Sequence, residues 1–354
     1  MDSKEFLHKL LTTPSVTGSE QQVQRIVRDH MRKYADSVET DLHGNVIVAI
    51  NPKAERKVML AGHCDQIGLM VRHITSDGYL YVLASGGIDV GVLYGARVTV
   101  YGEKGPVAGV IGRKPIHTQT SDERERAKND IEKIWIDIGA KNRKDAEKRV
   151  AIGDVVTFNL SVLEFGDRLI SSPGLDDKVG LFIVMEALRL CAASSSKLAV
   201  GLYAVSTVQE ELGLRGSTTS AYGINPEVGI AVDVTHASDN PGNENTKATP
   251  CILGRGPIIA RGPNMNPVVE KMLKAAAKRT RAPFQPAAVP RPLSNDANSI
   301  QMTRAGVATG ALGIPNRYMH TQAEVCSYRD VESAIKILAQ FVRSITKTTD
   351  FRPS

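Results

Sequence analysis

The spacing of apolar side chains along this chain changes character more than once. Residues 1–12 scatter leucines among Asp2, Lys4, Glu5, His8 and Lys9, an amphipathic helical pattern without the uninterrupted apolar stretch of an export signal. In residues 19–34, Val23, Ile26, Val27, His30 and Met31 recur at three and four residues, which predicts a second helix. Strand patterns follow at 46–50 and 58–61. From about residue 68 to 165 the texture turns to short β-rich runs, at 69–74, 79–83, 97–101, 107–111, 134–138 and 154–159, punctuated by glycine and aspartate. Many short strands with tight turns predict a small barrel or sandwich. Within them the charged stretch 121–133 reads as a loop or an exposed helix.

Beyond Pro173 helix and strand alternate again. An apolar helix is predicted at 181–191, buried strands at 198–208 and 228–234, a helix at 267–281, a strand near 308–313 and a terminal helix over 331–346. The economical account is one discontinuous α/β domain, residues 1–68 and 166–354, interrupted by a β-rich insertion at 69–165. Neither an internal repeat nor a low-complexity tract interrupts this pattern.

Composition narrows the classes. Apolar residues make up 42% of the 354 and charged residues 23%, ordinary for a folded globular chain. No apolar run approaches the roughly 20 residues of a membrane span, so no membrane partner is expected. The net charge of +6 comes from 44 basic and 38 acidic residues that alternate along the chain, and aromatics are only 5%. That argues against a nucleic-acid partner, which calls for clustered cations and stacking rings. Cys64, Cys191, Cys251 and Cys326 lie far apart with no Cys-x-x-Cys pair, so a disulfide framework is not suggested and a cytoplasmic location is expected.

The chemistry sits where strands are predicted to end. His63 and Asp65 follow an apolar strand and, two residues apart, share a face of an extended chain. Asp176 and Asp177 stand at a helix start, where acids also favour the helix dipole. Glu210 and Glu211 emerge from a long uncharged strand, a costly arrangement unless something cationic meets them. Asp233 ends another apolar strand, and His320 follows the strand-like run 310–314. Each feature has an ordinary structural explanation by itself, but two neighbouring cations at the strand ends would account for all of them. His63, Asp176, Glu211, Asp233 and His320 would supply the ligands, one of them shared, with Glu210 left over. His73 and His117 read as surface residues of the insertion, and His236 as a surface residue or one lying behind the ligands.

Read together, 63–68 (His-Cys-Asp-Gln-Ile-Gly), 176–178 (Asp-Asp-Lys), 210–216 (Glu-Glu-Leu-Gly-Leu-Arg-Gly), Asp233 and 317–320 (Arg-Tyr-Met-His) resemble a known family. It is that of the tetrahedral (TET), deblocking and glutamyl aminopeptidases of the co-catalytic zinc-peptidase clan. Residues 111–117, 136–140 and 152–154 resemble runs of that family's dimerisation domain. The resemblance implies a three-layer α/β/α peptidase domain carrying an inserted, PDZ-like β-barrel. It implies two divalent ions, zinc or cobalt, bridged by Asp176 with a cis peptide to Asp177, one completed by His63 and Asp233, the other by Glu211 and His320. Asp65 would orient His63, and Glu210 would be the general base toward a water between the ions. Short peptides would be the substrates, and dimers would assemble into a tetrahedral dodecamer. Gln66, 295–296 (Asn-Asp) and 321–324 (Thr-Gln-Ala-Glu) depart from the usual Glu, Thr-Asp and Ser-Pro-Val-Glu. These departures leave every ligand in place and bear on the substrate pocket. Rival readings are a two-metal carboxypeptidase or deacylase with the same ligand order, an endoglucanase, as some family members have been labelled, and a non-catalytic assembly subunit. Histidines among the acids argue against glycoside cleavage, and the survival of all six metal and base positions argues against a lost activity.

Overall fold

The computed structural model describes residues 1–122, 130–194, 197–243 and 249–353. Eight strands form its central sheet: β1 (Ser37–Thr40), β2 (Val46–Ile50), β3 (Lys57–His63), β12 (Gly201–Thr207), β13 (Val228–His236), β14 (Ile258–Arg261), β15 (Gln285–Ala288) and β16 (Ala308–Asn316). Their order is β1-β2-β12-β3-β13-β16-β14-β15. The middle four, β12, β3, β13 and β16, run parallel, and β2 and β14 flank them antiparallel. A parallel sheet covered on both faces needs apolar side chains in both directions, which is why β3, β12 and the first half of β13 read as continuous apolar runs.

Helices Ser3–Leu11, Gln21–Met31, Leu175–Ala192, Pro267–Thr280 and Tyr328–Ser344 bury their apolar stripes in the large core on one face of the sheet. Arg215–Ile224 and Asp296–Gln301 cover the other face with Met59, Ala61, Val205 and Ile300. The result is the expected three-layer α/β/α arrangement. Local chemistry fixes several helix starts. Asn266 caps the helix that opens with Pro267 by accepting from the N–H of Val268 and Val269, and Ser327 caps the terminal helix.

The helix Leu175–Ala192 begins six residues before the apolar period does, because Asp176, Asp177 and Lys178 are buried with partners from distant segments. Lys178 Nζ, for instance, donates to the Thr13 carbonyl at 2.7 Å and to Gln66 Oε1 at 2.5 Å. The helix lies so close to β3 that a Cβ on Gly62 would stand 2.5 Å from the Gly180 backbone. That contact sets the depth of the strand end carrying His63.

Six further strands close a separate barrel in the order β4-β5-β8-β7-β6-β9: β4 (Gly68–Ile74), β5 (Leu80–Ser85), β6 (Arg97–Gly102), β7 (Gly105–Arg113), β8 (Ile134–Asp137) and β9 (Val155–Phe158). Leu69, Val71, Val82, Val98, Ile111, Ile136 and Val156 fill its interior. Barrel strands end at Phe158. The next strand, β10 (Leu163–Phe165), pairs instead with β11 (Leu169–Ser171), which pairs with β17 (Val325–Ser327) beside the terminal helix. Of the charged stretch 121–133, residues 123–129 lie outside the described residues. His73 and His117 are exposed, as expected of barrel surface positions. Among the described residues no helix is long and apolar enough to cross a membrane.

Candidate metal centre

The parallel strands β3, β12, β13 and β16 carry their polar residues to one edge of the sheet, where side chains from five separated segments meet. His63 closes β3 with its ring buried. Its Nδ1 lies 3.0 Å from the Asp65 carbonyl oxygen, which can only accept, so Nδ1 carries a proton and Nε2 is the nitrogen turned toward the acids, able to hold a cation once its own proton is displaced. That Nε2 is 3.2 Å from Asp176 Oδ1, 3.8 Å from Glu210 Oε2 and 4.0 Å from Asp233 Oδ1. The other oxygen of Asp176 is 3.1 Å from His320 Nε2, which is in turn 3.5 Å from Glu211 Oε1. Asp176 therefore stands between two imidazoles, one oxygen to each.

A ring of supporting bonds holds these groups. The Asp65 carboxylate accepts from Thr17 Oγ1 at 2.8 Å and from the backbone N–H of Glu210 and Glu211 at 3.0 and 3.2 Å. Asp65 thus meets His63 chiefly through its carbonyl and uses its carboxylate to grip the two glutamates. Asp177, joined to Asp176 by a cis peptide, accepts from the N–H of His63 at 3.2 Å and of Gly180 at 3.0 Å. Glu324 accepts from the N–H of Asp176 at 2.8 Å and of His320 at 3.0 Å. Gln209, Leu214, Tyr318 and His320 all take left-handed φ between 53° and 62°, a strained backbone for non-glycine residues that clusters where geometry is dictated by function.

Electrostatics favour a cation here. Burial first, then neighbouring acids, push Glu210 up to about 10 and Glu211 up to about 7, and raise Asp233 and Asp177 far above the usual carboxylate range. Burial would raise Asp176 too, but the bonds from His320 and His63 outweigh it and hold it low. His320 rises to about 9, chiefly through its bond to Asp176. Glu211 Oε1 is buried without a hydrogen-bond partner, an arrangement that costs free energy unless a cation meets it.

Donor atoms of His63, Asp176 and Glu211 fall within 4.8 Å of one another, as do those of His63, Asp177 and Asp233. In the second set Asp177 already accepts with both oxygens, so Asp176 is the better ligand. Two donors on one tetrahedral zinc stand about 3.3 Å apart when each bond is about 2.0–2.1 Å. The nitrogen–oxygen distances of 3.1 to 3.5 Å around Asp176 and Glu211 match that spacing. This donor set fits divalent ions that take nitrogen and oxygen ligands.

Sequence reasoning brought all seven site residues to this edge and missed several supports. Glu324, Asp177 and Thr17 act through backbone N–H groups or other carboxylates, and Asp296 accepts from Thr207 Oγ1 at 2.7 Å beneath the site. Glu324 had a signal, an acid four residues after His320 in a stretch otherwise without charge. His236 is exposed at the end of β13 and belongs to neither group of donor atoms close enough to hold an ion. The barrel also reaches the site. A Cβ on Gly86 would lie 3.4 Å from Glu211 Oε2, and one on Gly87 would lie 3.3 Å from His320 Nδ1. Beside these groups opens a cavity of about 900 Å³.

Comparison with known proteins agrees with this geometry. The profile of the M42 glutamyl aminopeptidase family matches residues 44–337. The lysyl aminopeptidase of Pyrococcus furiosus is 38% identical over 351 residues, covering 99% of either chain. The TET aminopeptidase of the marine sediment archaeon Thaumarchaeota archaeon SCGC AB-539-E09 superposes with a TM-score of 0.92 at 31% identity, over 98% of this chain and 97% of its own. The TET1 peptidase of Pyrococcus horikoshii, described as assembling into a tetrahedron or a large octahedral shell, gives 0.85 at 26% identity, over 97% and 100%.

Proposed function

The chain belongs to the M42 glutamyl aminopeptidase family and is an aminopeptidase, and from that premise we propose that it works through two divalent ions with Glu210 as general base. Asp176 would be shared between the ions, His63 and Asp233 completing one ligand set, Glu211 and His320 the other. The observation that carries this reading is the pair of contacts at Asp176, 3.2 Å to His63 Nε2 and 3.1 Å to His320 Nε2. Imidazole and carboxylate donors suit zinc or cobalt.

When bound, the ions supply Lewis acidity toward the peptide carbonyl and a water of lowered pKa. A Glu210 oxygen takes a proton from the water that forms the new C–O bond and delivers it to the amine nitrogen as the C–N bond breaks. Burial and the surrounding acids hold Glu210 up to about 10, so it serves as a base only where cations offset those acids. Asp65, bonded to the N–H groups of Glu210 and Glu211, keeps base and ligand side by side.

Glu210→Gln tests the assignment. The variant should retain its metal by elemental analysis while turnover of a short free-amino peptide falls by about 10²–10⁴-fold. Substantial residual hydrolysis would remove Glu210 from the role. A carboxypeptidase or deacylase would instead favour C-terminal or N-acylated substrates, an endoglucanase would cleave glucan in the presence of chelator, and a non-catalytic subunit would retain no divalent ion after loading.

The chain also self-associates in this reading, forming dimers through the inserted segment 69–165 and a tetrahedral dodecamer from those dimers. Exposed Met70, Leu83, Val110 and Ile152 on the barrel and the shells described for the Pyrococcus horikoshii relative support it. Cytoplasmic residence is supported by four buried cysteines that form no disulfide.

A further inference from the structure

The metal-binding edge of the sheet continues sideways into a wall that no residue of the proposed metal centre uses. Asp233 on β13 lies directly opposite Gly313 on β16, and Gly313 opposite Ile258 on β14. With strands about 4.8 Å apart, the wall begins one strand from a proposed ligand and extends outward over β16, β14 and β15. Alternation decides what it presents. Ile259 and Leu312 point into the large core, so Ile258, Ala260, Ala311 and Gly313 point the other way, into the cavity of about 900 Å³. Ala287, paired with Ala260, continues this surface, and Leu293 packs against it. Gly313 is bare for a reason, since a Cβ there would stand 2.9 Å from Thr235 Cγ2 and 3.4 Å from Ile258 Cβ.

The charge distribution is one-sided. Among the described residues lining the cavity, the ionisable ones are the metal centre itself, the buried Cys251 and the exposed rim residue His236. A peptide held with its carbonyl at the centre would lay the side chain of its first residue on this wall, the apolar surface that begins one strand from Asp233. Among the described residues, an ammonium or carboxylate carried onto these apolar side chains would meet no charge of opposite sign outside the metal centre, whereas a branched aliphatic chain would exchange water for apolar contact.

We infer that the wall formed by Ile258, Ala260, Ala287, Leu293, Ala311 and Gly313 selects peptides whose first residue is neutral and aliphatic, and rejects lysine and glutamate at that position. This inference rests on the aminopeptidase reading of the same site. Initial rates of the zinc- or cobalt-loaded full chain on leucyl, methionyl, alanyl, lysyl and glutamyl chromogenic amides test it.

Leucyl and methionyl substrates should exceed lysyl and glutamyl ones by about tenfold or more in kcat/KM. Ala287→Asp, on the edge strand β15, should raise the lysyl-to-leucyl ratio by about tenfold, a change of preference that general loosening of the fold would not produce. A wild-type enzyme that takes lysyl or glutamyl substrates as well as leucyl ones overturns the inference and leaves the aminopeptidase reading standing. So does a folded Ala287→Asp variant with an unchanged ratio. Failure to cleave any free-amino substrate, with metal bound, sinks the aminopeptidase reading and this inference with it. If Ala287→Asp does not fold, the wild-type panel decides.

Discussion

Glu324 touches neither proposed ion, yet its two oxygens hold the backbone N–H groups of Asp176 and His320, which belong to segments 144 residues apart. A single carboxylate thereby fixes the distance between the shared ligand and one of its imidazoles. Glutamine at 324 keeps one acceptor and turns an NH2 toward the other N–H, which leaves that N–H without a partner in a buried position. Glu324→Gln should weaken zinc binding by about 10–100-fold, the usual cost of losing a group that orients ligands, as read by competition with a chelator. Unchanged affinity would mean that Asp176 and His320 hold their positions without it. His63 makes the same point from the other side. Its Nε2 is available because Nδ1 is committed to the Asp65 carbonyl, a bond set by backbone geometry that the residue pattern alone does not specify.

At the scale of elements, the segment that carries His320 is fastened to the chain leaving β13. Arg317, just after β16, donates to Asp239 from Nε at 2.9 Å and from Nη2 at 2.7 Å, and Asp239 also accepts from the Leu253 N–H at 3.1 Å. Burial works to raise the Asp239 carboxyl, but these bonds outweigh it and hold it below its ordinary value of 3.8. A carboxylate with a depressed folded pKa binds fewer protons in the native state than in the unfolded one over the interval between the two values. Its stabilisation is therefore complete above the unfolded value and lost as pH falls through the folded one. Asp239→Asn should cost about 1–3 kcal/mol at neutral pH, and the gap to wild type should close as pH drops below about 4. Thermal melts from pH 7 to pH 3 measure this, and a gap that does not vary with pH would count against the clamp.

The strands that bring the site together were the most legible elements. β3, β12 and β13 are buried on both faces and so announce themselves as apolar runs ending in His63, the Glu210 region and Asp233. The wall strands β14 and β15 were not legible, being four residues each and, in β15, including Pro286 and two alanines. The first turn of Leu175–Ala192 was legible as a helix start carrying two acids, but its burial was not. That burial depends on Glu324, Thr13 and Gln66 from distant segments, and on Gly180, which satisfy Asp176, Asp177 and Lys178.

Across the whole molecule, the barrel and the sheet domain meet at the proposed metal centre itself. β5 runs out of the barrel into Gly86 and Gly87, which abut Glu211 and His320, the two residues proposed to complete one ion's ligand set. The two domains therefore share a boundary only a few atoms thick, and the absence of side chains is what lets them approach. Gly87 is exposed and outside the barrel core, so a larger residue there should not unfold the barrel. Its Cβ alone would come within 3.3 Å of His320 Nδ1 and 3.5 Å of Cε1, closer than an ordinary contact at Nδ1, and a valine branch turned toward the ring adds to that crowding. His320 already sits at a left-handed φ of 62° with its N–H tied to Glu324, so the crowding falls on the ring, whose Nε2 lies 3.1 Å from Asp176. Gly87→Val should reduce metal content after dialysis and lower kcat by about tenfold or more, while the melting temperature in excess chelator stays near that of wild type. Full metal content and wild-type turnover would show that the barrel merely borders the site. A drop in melting temperature equal with and without metal would trace the defect to folding of the barrel and not to its contact with His320.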